Sequence, residues 1–320
     1  MDGPAPRCTI RRRLVPAVAV ALALVSAACG TAQSAAPTTT LVPAPETNLA
    51  YGPVRGCEQP PDEDCGGSQT LDVWRSPVPG PNPVLMWIHG GAGVSGDKTE
   101  GVPAQLQRFL DTGYDVVAVN YRLADDDGTN VYPAGLQDVK RAVRWVKANA
   151  AAQDWNPDWV VASGHSMGGN LVEMLAATNG VAPLEPTGLP PDLAAQDSSI
   201  SAGVAIAPVS DLNEFRDGGW IGGLADVYMG CAEPCPDRLA AESVASYVTP
   251  SAAPVIAVHG VLDPWATVTA GRRTRDAYTA AGIGDRFQLV LVKEGPAWAR
   301  GHAPDLDQVI DRVLEFVDRQ

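Results

Sequence analysis

The sequence predicts an α/β domain in which a mostly parallel sheet is covered by helices on both faces. From about Gln69 onward, short continuous apolar runs alternate with segments whose apolar residues recur at helical spacing. This is the pattern of buried strands joined by crossover helices. With 320 residues and a hydrophobic fraction of 45%, the chain can fill the core of one large domain.

The apolar runs predict the strands, and the apolar stripes predict the helices. Central strands are expected at residues 84–88, 115–119, 159–162, 203–206, 254–258 and 287–292. The segment 69–74 precedes the first crossover and is expected to lie antiparallel at one edge of the sheet. Stripes over 136–147 and 306–317 predict covering helices. Irregular insertions at about 180–200 and 211–237 follow strands, where α/β folds carry their binding loops.

The N-terminus has the features of an export signal. Arginines at 11–13 precede an apolar run over 14–28, which is shorter than the ~20 residues that span a bilayer. Residues 1–28 are therefore expected to be a signal peptide. The sequence around Cys29 resembles a bacterial lipoprotein signal, in which Cys29 would carry the lipid that anchors the protein to the outer face of the membrane. A plain signal peptide and secretion are the alternative, because Ser26 stands where that pattern prefers an aliphatic residue.

Residues 29–50 are predicted to be a flexible tether, since they are rich in Ala, Thr and Pro and lack periodicity. This leaves 51–320 for the folded domain. The net charge of −14 repels phosphate backbones and argues against a nucleic-acid partner. Nothing in the sequence indicates the oligomeric state.

The cysteine pattern agrees with export. Beyond the signal and Cys29, the remaining cysteines are Cys57, Cys65, Cys231 and Cys235. An even number in an oxidising compartment favours disulfides, for which there are three possible connectivities. The local pairs 57–65 and 231–235 are favoured, because Gly and Pro surround each. A metal site is the alternative, but the second pair has no histidine nearby.

The segment Gly164-His165-Ser166-Met167-Gly168 stands between a predicted strand and an apolar helical run. Glycines flank the serine in such a turn because it is sharp and strained, and the turn lifts the hydroxyl above the sheet edge. Ser166 is therefore the candidate nucleophile. A tight turn with a capping serine is the alternative.

A serine nucleophile requires a base, and the chain has four histidines. His89 begins a glycine loop, His165 is expected to point away from Ser166, and His259 ends a strand. His302 lies in a loop between the last strand and the last helix, from which its imidazole can reach back over the sheet edge. His302 is therefore the candidate base, and a surface or helix-capping histidine is the alternative.

The carboxylate that orients this imidazole is assigned to Asp263, which follows the strand at 254–258. Asp285 precedes a strand and would lie at the wrong end of the sheet. Asp305 and Asp307 lie at the opening of the last helix, where acidic residues favour the helix dipole.

Backbone donors for an oxyanion are predicted next to the strand at 84–88. The loop His89-Gly90-Gly91-Ala92-Gly93 directly follows that strand. A glycine run leaves backbone N–H groups free to face a ligand. The predicted donors are Gly90, Gly91 and Met167, the residue after the nucleophile.

These motifs together resemble the carboxylesterases related to hormone-sensitive lipase. The resemblance runs from about Thr70 to the C-terminus and is carried by residues 89–91, 119–123, 132–134, Asp138, 164–170, 259–260, Asp263 and 301–302. It implies an α/β-hydrolase fold with the triad in the order Ser166, Asp263, His302. It also implies hydrolysis of carboxylic esters through an acyl-enzyme, no cofactor, and structural roles for Tyr121, Arg122 and Asp138.

The sequence departs from that family at two places. Ala92 replaces the third glycine of the loop, and Asp125-Asp126-Asp127-Gly128 replaces a proline-acidic segment. The acidic segment is interpreted as a solvated turn, with a calcium loop as the alternative. A small or absent cap favours small or short-acyl esters. A peptidase of the prolyl-oligopeptidase type and a non-catalytic surface lipoprotein are the other functions considered.

Overall fold

The computed structural model describes residues 44–53, 69–100, 104–217, 221–233, 235–293 and 301–320. These residues belong to a unit that runs from Leu41 to Gln320. The predicted signal peptide, the lipidation site Cys29, and both Cys57 and Cys65 lie outside the described residues. Within the described ranges, no helix has the length and apolarity needed to cross a membrane.

The domain is built on an eight-stranded sheet in the order β1-β2-β4-β3-β5-β6-β7-β8. The strands are β1 Glu46–Ala50, β2 Thr70–Trp74, β3 Asn82–Ile88, β4 Asp115–Val119, β5 Trp155–His165, β6 Ala202–Ile206, β7 Val255–Gly260 and β8 Phe287–Val292. Strand β2 pairs antiparallel with both β1 and β4, and the other pairs are parallel. The predicted α/β class with a mostly parallel sheet is confirmed.

The edge of the sheet differs from the prediction in two respects. Strand β1, and not β2, is the edge strand, so residues 46–50 belong to the sheet and not to a tether that ends at 50. Side-chain hydrogen bonds fix β1: the Asn48 amide N–H donates to Asp72 Oδ1 at 2.7 Å, and Lys98 Nζ donates to Asn48 Oδ1 at 2.8 Å. The buried Lys98 also pairs with Asp72 at 3.4 Å. These contacts give β2 a second neighbour that its hydrophobic pattern does not reveal.

Helices cover both faces of this sheet. They are α1 Ala104–Asp111, α2 Ala134–Gln153, α3 Met167–Ala177, α4 Pro191–Ala194, α5 Leu212–Arg216, α6 Gly223–Met229, α7 Pro236–Ala241, α8 Val268–Ala280 and α9 Ile310–Val317. One buried cluster packs α2, α3 and α8 on the sheet, and a second packs α1 and α9 on it. The predicted helix over 306–317 begins as a 3₁₀ turn at Leu306–Gln308 before α9.

The insertions are fastened by polar contacts and by a disulfide. Lys140 lies on the inner face of α2 with 0% of its side chain exposed, where its Nζ pairs with Glu185 Oε1 at 2.6 Å. Glu185 also pairs with Arg144 at 2.6 Å, so the 180–200 insertion is held against α2. In the second insertion, the predicted bond between Cys231 and Cys235 is present.

Candidate active site

Ser166 lies at the junction of β5 and α3 in a strained backbone conformation. Its φ is 58° and its ψ is −119°, a region that residues with a Cβ rarely adopt and that costs about 1–3 kcal/mol. The surrounding glycines explain how the turn fits. A Cβ at Gly164 would lie 2.6 Å from the Gly168 backbone, and one at Gly168 would lie 2.1 Å from the Ile88 carbonyl oxygen. The Ser166 N–H donates to the Ile206 carbonyl at 2.9 Å, which ties the turn to β6.

A continuous hydrogen-bond chain joins Ser166, His302 and Asp263. His302 Nε2 lies 2.9 Å from Ser166 Oγ, and His302 Nδ1 lies 2.8 Å from Asp263 Oδ2. An ionised carboxylate only accepts hydrogen bonds, so Nδ1 carries the proton and Nε2 is left to accept from the serine hydroxyl. This arrangement allows His302 Nε2 to remove the hydroxyl proton of Ser166 while Ser166 Oγ attacks a carbonyl carbon.

Asp263 is held rigidly for this contact. Its side chain is 0% exposed, and its other oxygen, Oδ1, accepts the backbone N–H groups of Trp265 at 2.9 Å and Ala266 at 3.0 Å. The competing carboxylates lie elsewhere. Asp285 is in a 3₁₀ turn before β8, and Asp305 caps the turn at Leu306–Gln308 by accepting the Asp307 N–H at 3.1 Å.

The glycine loop after β3 lies against Ser166. A Cβ at Gly90 would lie 3.1 Å from the His165 carbonyl oxygen and 3.2 Å from Ser166 Cβ. Met167 is the first residue of α3, and the first N–H groups of a helix have no intrahelical acceptor. Gly90 and Met167, the predicted oxyanion donors, thus both lie next to Ser166, Gly90 by packing and Met167 as the following residue. Gly91 follows with a φ of 97°, where a Cβ would lie 2.0 Å from the Ser95 carbonyl oxygen.

Tyr121 and His89 fix the orientation of the peptide groups in this loop. The Tyr121 hydroxyl lies 3.1 Å from the His89 carbonyl oxygen and 3.2 Å from the Gly90 carbonyl oxygen. His89 Nδ1 lies 2.8 Å from the same Gly90 oxygen, and the two rings stack at 4.4 Å. In a trans peptide the carbonyl and the following N–H point in opposite directions. Holding these two carbonyls therefore fixes the directions of the Gly90 and Gly91 N–H groups.

Two further side chains, those of Trp265 and His165, contact His302, and no sequence motif predicts either contact. The Trp265 ring meets the His302 ring edge-on at 5.0 Å. His165 does not extend towards Ser166 Oγ, as expected, but it is not idle: its Nε2 lies 2.7 Å from the His302 carbonyl oxygen. Burial and, to a smaller extent, the neighbouring His302 lower the pKa of His165 to about 4. The sequence gives no signal for either contact, because both depend on where residue 302 lies relative to segments far away in the sequence.

The remaining motif residues have supporting positions. Arg122 and Asp138 form hydrogen bonds of 2.7 to 3.0 Å, and these bonds raise the pKa of the Arg122 guanidinium. His259 is buried, and its Nδ1 lies 3.0 Å from the Ala266 carbonyl oxygen. In the acidic segment, the Thr129 N–H donates to the exposed Asp127 at 3.0 Å, a contact typical of a solvated turn.

Comparison with known proteins agrees with this architecture. A family model described as BD-FAE matches residues 71–273. The probable carboxylic ester hydrolase LipM of Mycobacterium tuberculosis is 33% identical over 155 residues, which cover 48% of this chain and 34% of LipM. The esterase LipQ of the same organism is 28% identical over 230 residues, which cover 68% of this chain and 51% of LipQ. The chain thus spans about a third to a half of the length of these curated relatives.

Solved structures show the same fold. A truncated form of a carbohydrate esterase from gut microbiota superposes with a TM-score of 0.71 at 20% identity, over 88% of this chain and 98% of that chain. The family matches confirm the resemblance to carboxylesterases related to hormone-sensitive lipase. The chain therefore belongs to the BD-FAE family, and its domain has the α/β-hydrolase fold that the motifs predict.

Proposed function

We propose that this chain is an exported carboxylic ester hydrolase that acts through an acyl-enzyme on Ser166. The observation that carries the proposal is the hydrogen-bond chain from Ser166 Oγ through His302 to Asp263, at 2.9 and 2.8 Å. The named activities of LipM and LipQ support the same reaction class.

In the acylation step, His302 Nε2 takes the hydroxyl proton while Ser166 Oγ forms a bond to the ester carbonyl carbon. The tetrahedral intermediate then breaks its bond to the alcohol oxygen, which leaves with the proton held by His302. Water then takes the place of the serine: His302 removes a proton from the water, and the water oxygen attacks the acyl carbon. The acid leaves as His302 returns the proton to Ser166 Oγ. Asp263 stabilises the imidazolium in both halves and remains ionised throughout.

The oxyanion of each intermediate is assigned to the N–H groups of Gly90, Gly91 and Met167. Donors that are fixed before the reaction stabilise the developing charge without reorganising, and the loss of one typically costs about 3–4 kcal/mol. The packing of Gly90 against Ser166 and the start of α3 at Met167 support this assignment.

The decisive experiment is the Ser166→Ala variant assayed with p-nitrophenyl acetate. We expect kcat to fall by about 10⁴-fold or more, leaving only the weak catalysis that the oxyanion donors and substrate binding provide, while the variant melts cooperatively like the parent. A fluorophosphonate probe should label the parent and not the variant. Retained hydrolysis would refute the role of Ser166. A parent that neither labels nor turns over would indicate a binding protein, and preference for peptide amides over esters would indicate a peptidase.

The substrate is proposed to be a small or short-acyl ester. The name of the structural relative from gut microbiota, a carbohydrate esterase, makes acetylated sugars a natural member of the test panel. p-Nitrophenyl esters from acetate to dodecanoate, assayed beside acetylated xylose, should show kcat/KM falling with acyl length. A maximum at the long chains would contradict the proposal.

Attachment to the membrane is proposed through lipid on Cys29. In a bacterial host, the parent should sediment with membranes, and Cys29→Ser should appear in the medium or the periplasm. The same distribution for both proteins would favour a plain signal peptide.

A further inference from the structure

We infer that His165 is a positioning residue of the catalytic site, which holds the main chain of His302 so that its imidazole stays within reach of Ser166. The inference rests on the proposed ester hydrolysis and assigns to it a residue that the triad and the oxyanion donors do not include.

The direction of the hydrogen bond between these residues is fixed by chemistry. A carbonyl oxygen only accepts, so His165 Nε2, at 2.7 Å from the His302 oxygen, must carry the hydrogen. Burial keeps the His165 imidazole neutral, and a neutral imidazole has a single N–H. His165 is therefore the Nε2–H tautomer, with Nδ1 on the side that packs against Gly90.

The adjacent residues His165 and Ser166 thus contact His302 at two points. Ser166 contacts the imidazole at 2.9 Å, and His165 contacts the main-chain carbonyl at 2.7 Å. Among the described residues, this is the only hydrogen bond made by the main chain of residues 301–303. Asp263 sets the rotation of the His302 ring, whereas His165 sets the position of the backbone from which the ring projects.

The two imidazoles lie close enough for the charge on His165 to matter. Their centroids are 5.0 Å apart, and the Asp263 carboxylate contacts His302 at 2.8 Å. A neutral His165 adds no positive charge beside the imidazolium that forms on His302 in each half-reaction. The hydrogen bond from His165 to the His302 carbonyl therefore holds the main chain of His302 without opposing proton transfer to its imidazole.

Loss of this contact should affect catalysis and leave substrate binding unchanged. A general base works only within about 2.6–3.2 Å of the proton that it takes, and displacement by about 1 Å can cost about 100-fold in rate. The side chain of His165 is directed to His302 and Gly90, so its removal should lower kcat about 10- to 100-fold and change KM by less than about twofold.

Three substitutions separate the hydrogen bond from the volume of the side chain. His165→Leu fills similar space without a donor. His165→Gln carries an amide nitrogen at about the reach of Nε2, and His165→Asn is one methylene too short. Thr178→Val is the matched control, because it removes a buried hydrogen bond, from Thr178 Oγ1 to the Met174 oxygen, at the other end of α3. Each variant is assayed for kcat, KM, the rate of fluorophosphonate labelling and the melting temperature.

We expect a low kcat and slow labelling for His165→Leu and His165→Asn, and recovery of most of the kcat in His165→Gln. Thr178→Val should keep the parental kcat despite a lower melting temperature. If His165→Leu does not fold, comparison of the kcat of His165→Gln with that of His165→Asn decides whether the hydrogen bond positions His302. Equal kcat values in Gln and Asn, or a parental kcat in Leu, would overturn the positioning role. Failure of the proposed function is recognised separately, by a parent that is inactive or a Ser166→Ala variant that is active.

Discussion

Tyr121 is the clearest example of a residue that shapes the site without being one of its reacting groups. Its hydroxyl bridges the carbonyls of His89 and Gly90, whose peptide groups carry two of the three N–H groups assigned to the oxyanion, those of Gly90 and Gly91. The resemblance to known esterases implies a structural role for this tyrosine. The contacts define that role as control of two peptide orientations.

Tyr121→Phe should therefore lower kcat about 10-fold or more, since about 1.4 kcal/mol of lost oxyanion stabilisation is a factor of ten. Steady-state kinetics with p-nitrophenyl acetate measure this. Tyr278→Phe is the control, because its buried hydroxyl also donates to a backbone carbonyl, that of Ala253, at 2.9 Å. Each variant should lose about 1 kcal/mol of stability. An equal effect of both on kcat would contradict the assignment.

At the scale of elements, the insertion at 180–200 depends on an asymmetric ion cluster. Glu185 faces two cations, the fully buried Lys140 and the less buried Arg144. Removing the carboxylate leaves the buried Lys140 ammonium without an opposite charge and with the neutral Thr178 carbonyl as its acceptor. Removing Lys140 leaves Glu185 paired with Arg144.

Glu185→Leu should consequently destabilise the domain by ~3–5 kcal/mol, while Lys140→Met should be close to neutral. Urea denaturation of the two variants at neutral pH gives the comparison. A lower urea midpoint for Lys140→Met than for Glu185→Leu would show that the ion cluster does not anchor the insertion as described.

Strand β1 supports a second prediction at this scale. A chain that starts at residue 45 keeps β1, and one that starts at residue 51 leaves the outer edge of β2 unpaired and removes the Asn48 acceptor of Lys98. Exposed strand edges promote aggregation. The shorter chain should melt at a lower temperature and form soluble aggregates in size-exclusion chromatography. Identical profiles would mean that β1 adds nothing to the domain.

The elements that the sequence predicts best are those with continuous apolar runs. Strands β4 and β8 have the same bounds as predicted, because each is a mainly apolar run that ends before a polar residue, Asn120 or Lys293. Strand β1 has no such run and is mostly exposed. Its place is set by hydrogen bonds to Asp72 and Lys98, which are far away in sequence, so no local pattern could reveal it.

At the scale of the whole molecule, the site also contains features that the sequence predicts and features that it does not. The flanking glycines identify Ser166, and the positions of Asp263 and His302 after strands identify their candidates, since parallel strands deliver their carboxyl ends to one edge. The contacts of Tyr121 and His165 could not be predicted, because each is made to a backbone carbonyl on another segment. A side-chain motif records the donor and leaves its acceptor undetermined.

The stability of the whole domain should depend on pH through Glu173, a fully buried residue of α3. Burial raises the pKa of its carboxyl to about 8, whereas an unfolded glutamate has a pKa of about 4.3. Between these values the folded chain holds a proton that the unfolded chain releases, so raising the pH through this window favours unfolding.

Glu173→Gln removes this linkage. Its stability relative to the parent should therefore rise from pH 5 to pH 8, as measured by the urea midpoints of both proteins at each pH. A constant difference between the two proteins would contradict a buried, protonated Glu173.

The positive φ of Ser166 has an evolutionary consequence. Any residue with a Cβ is strained there, and glycine would relieve that strain. Ser166→Gly should therefore melt at a higher temperature than Ser166→Ala, although both lack the proposed nucleophile. Selection for stability alone would favour glycine at this position, so selection for the proposed activity would be needed to keep a serine there. A descendant freed from that selection should lose the serine early and gain stability by doing so.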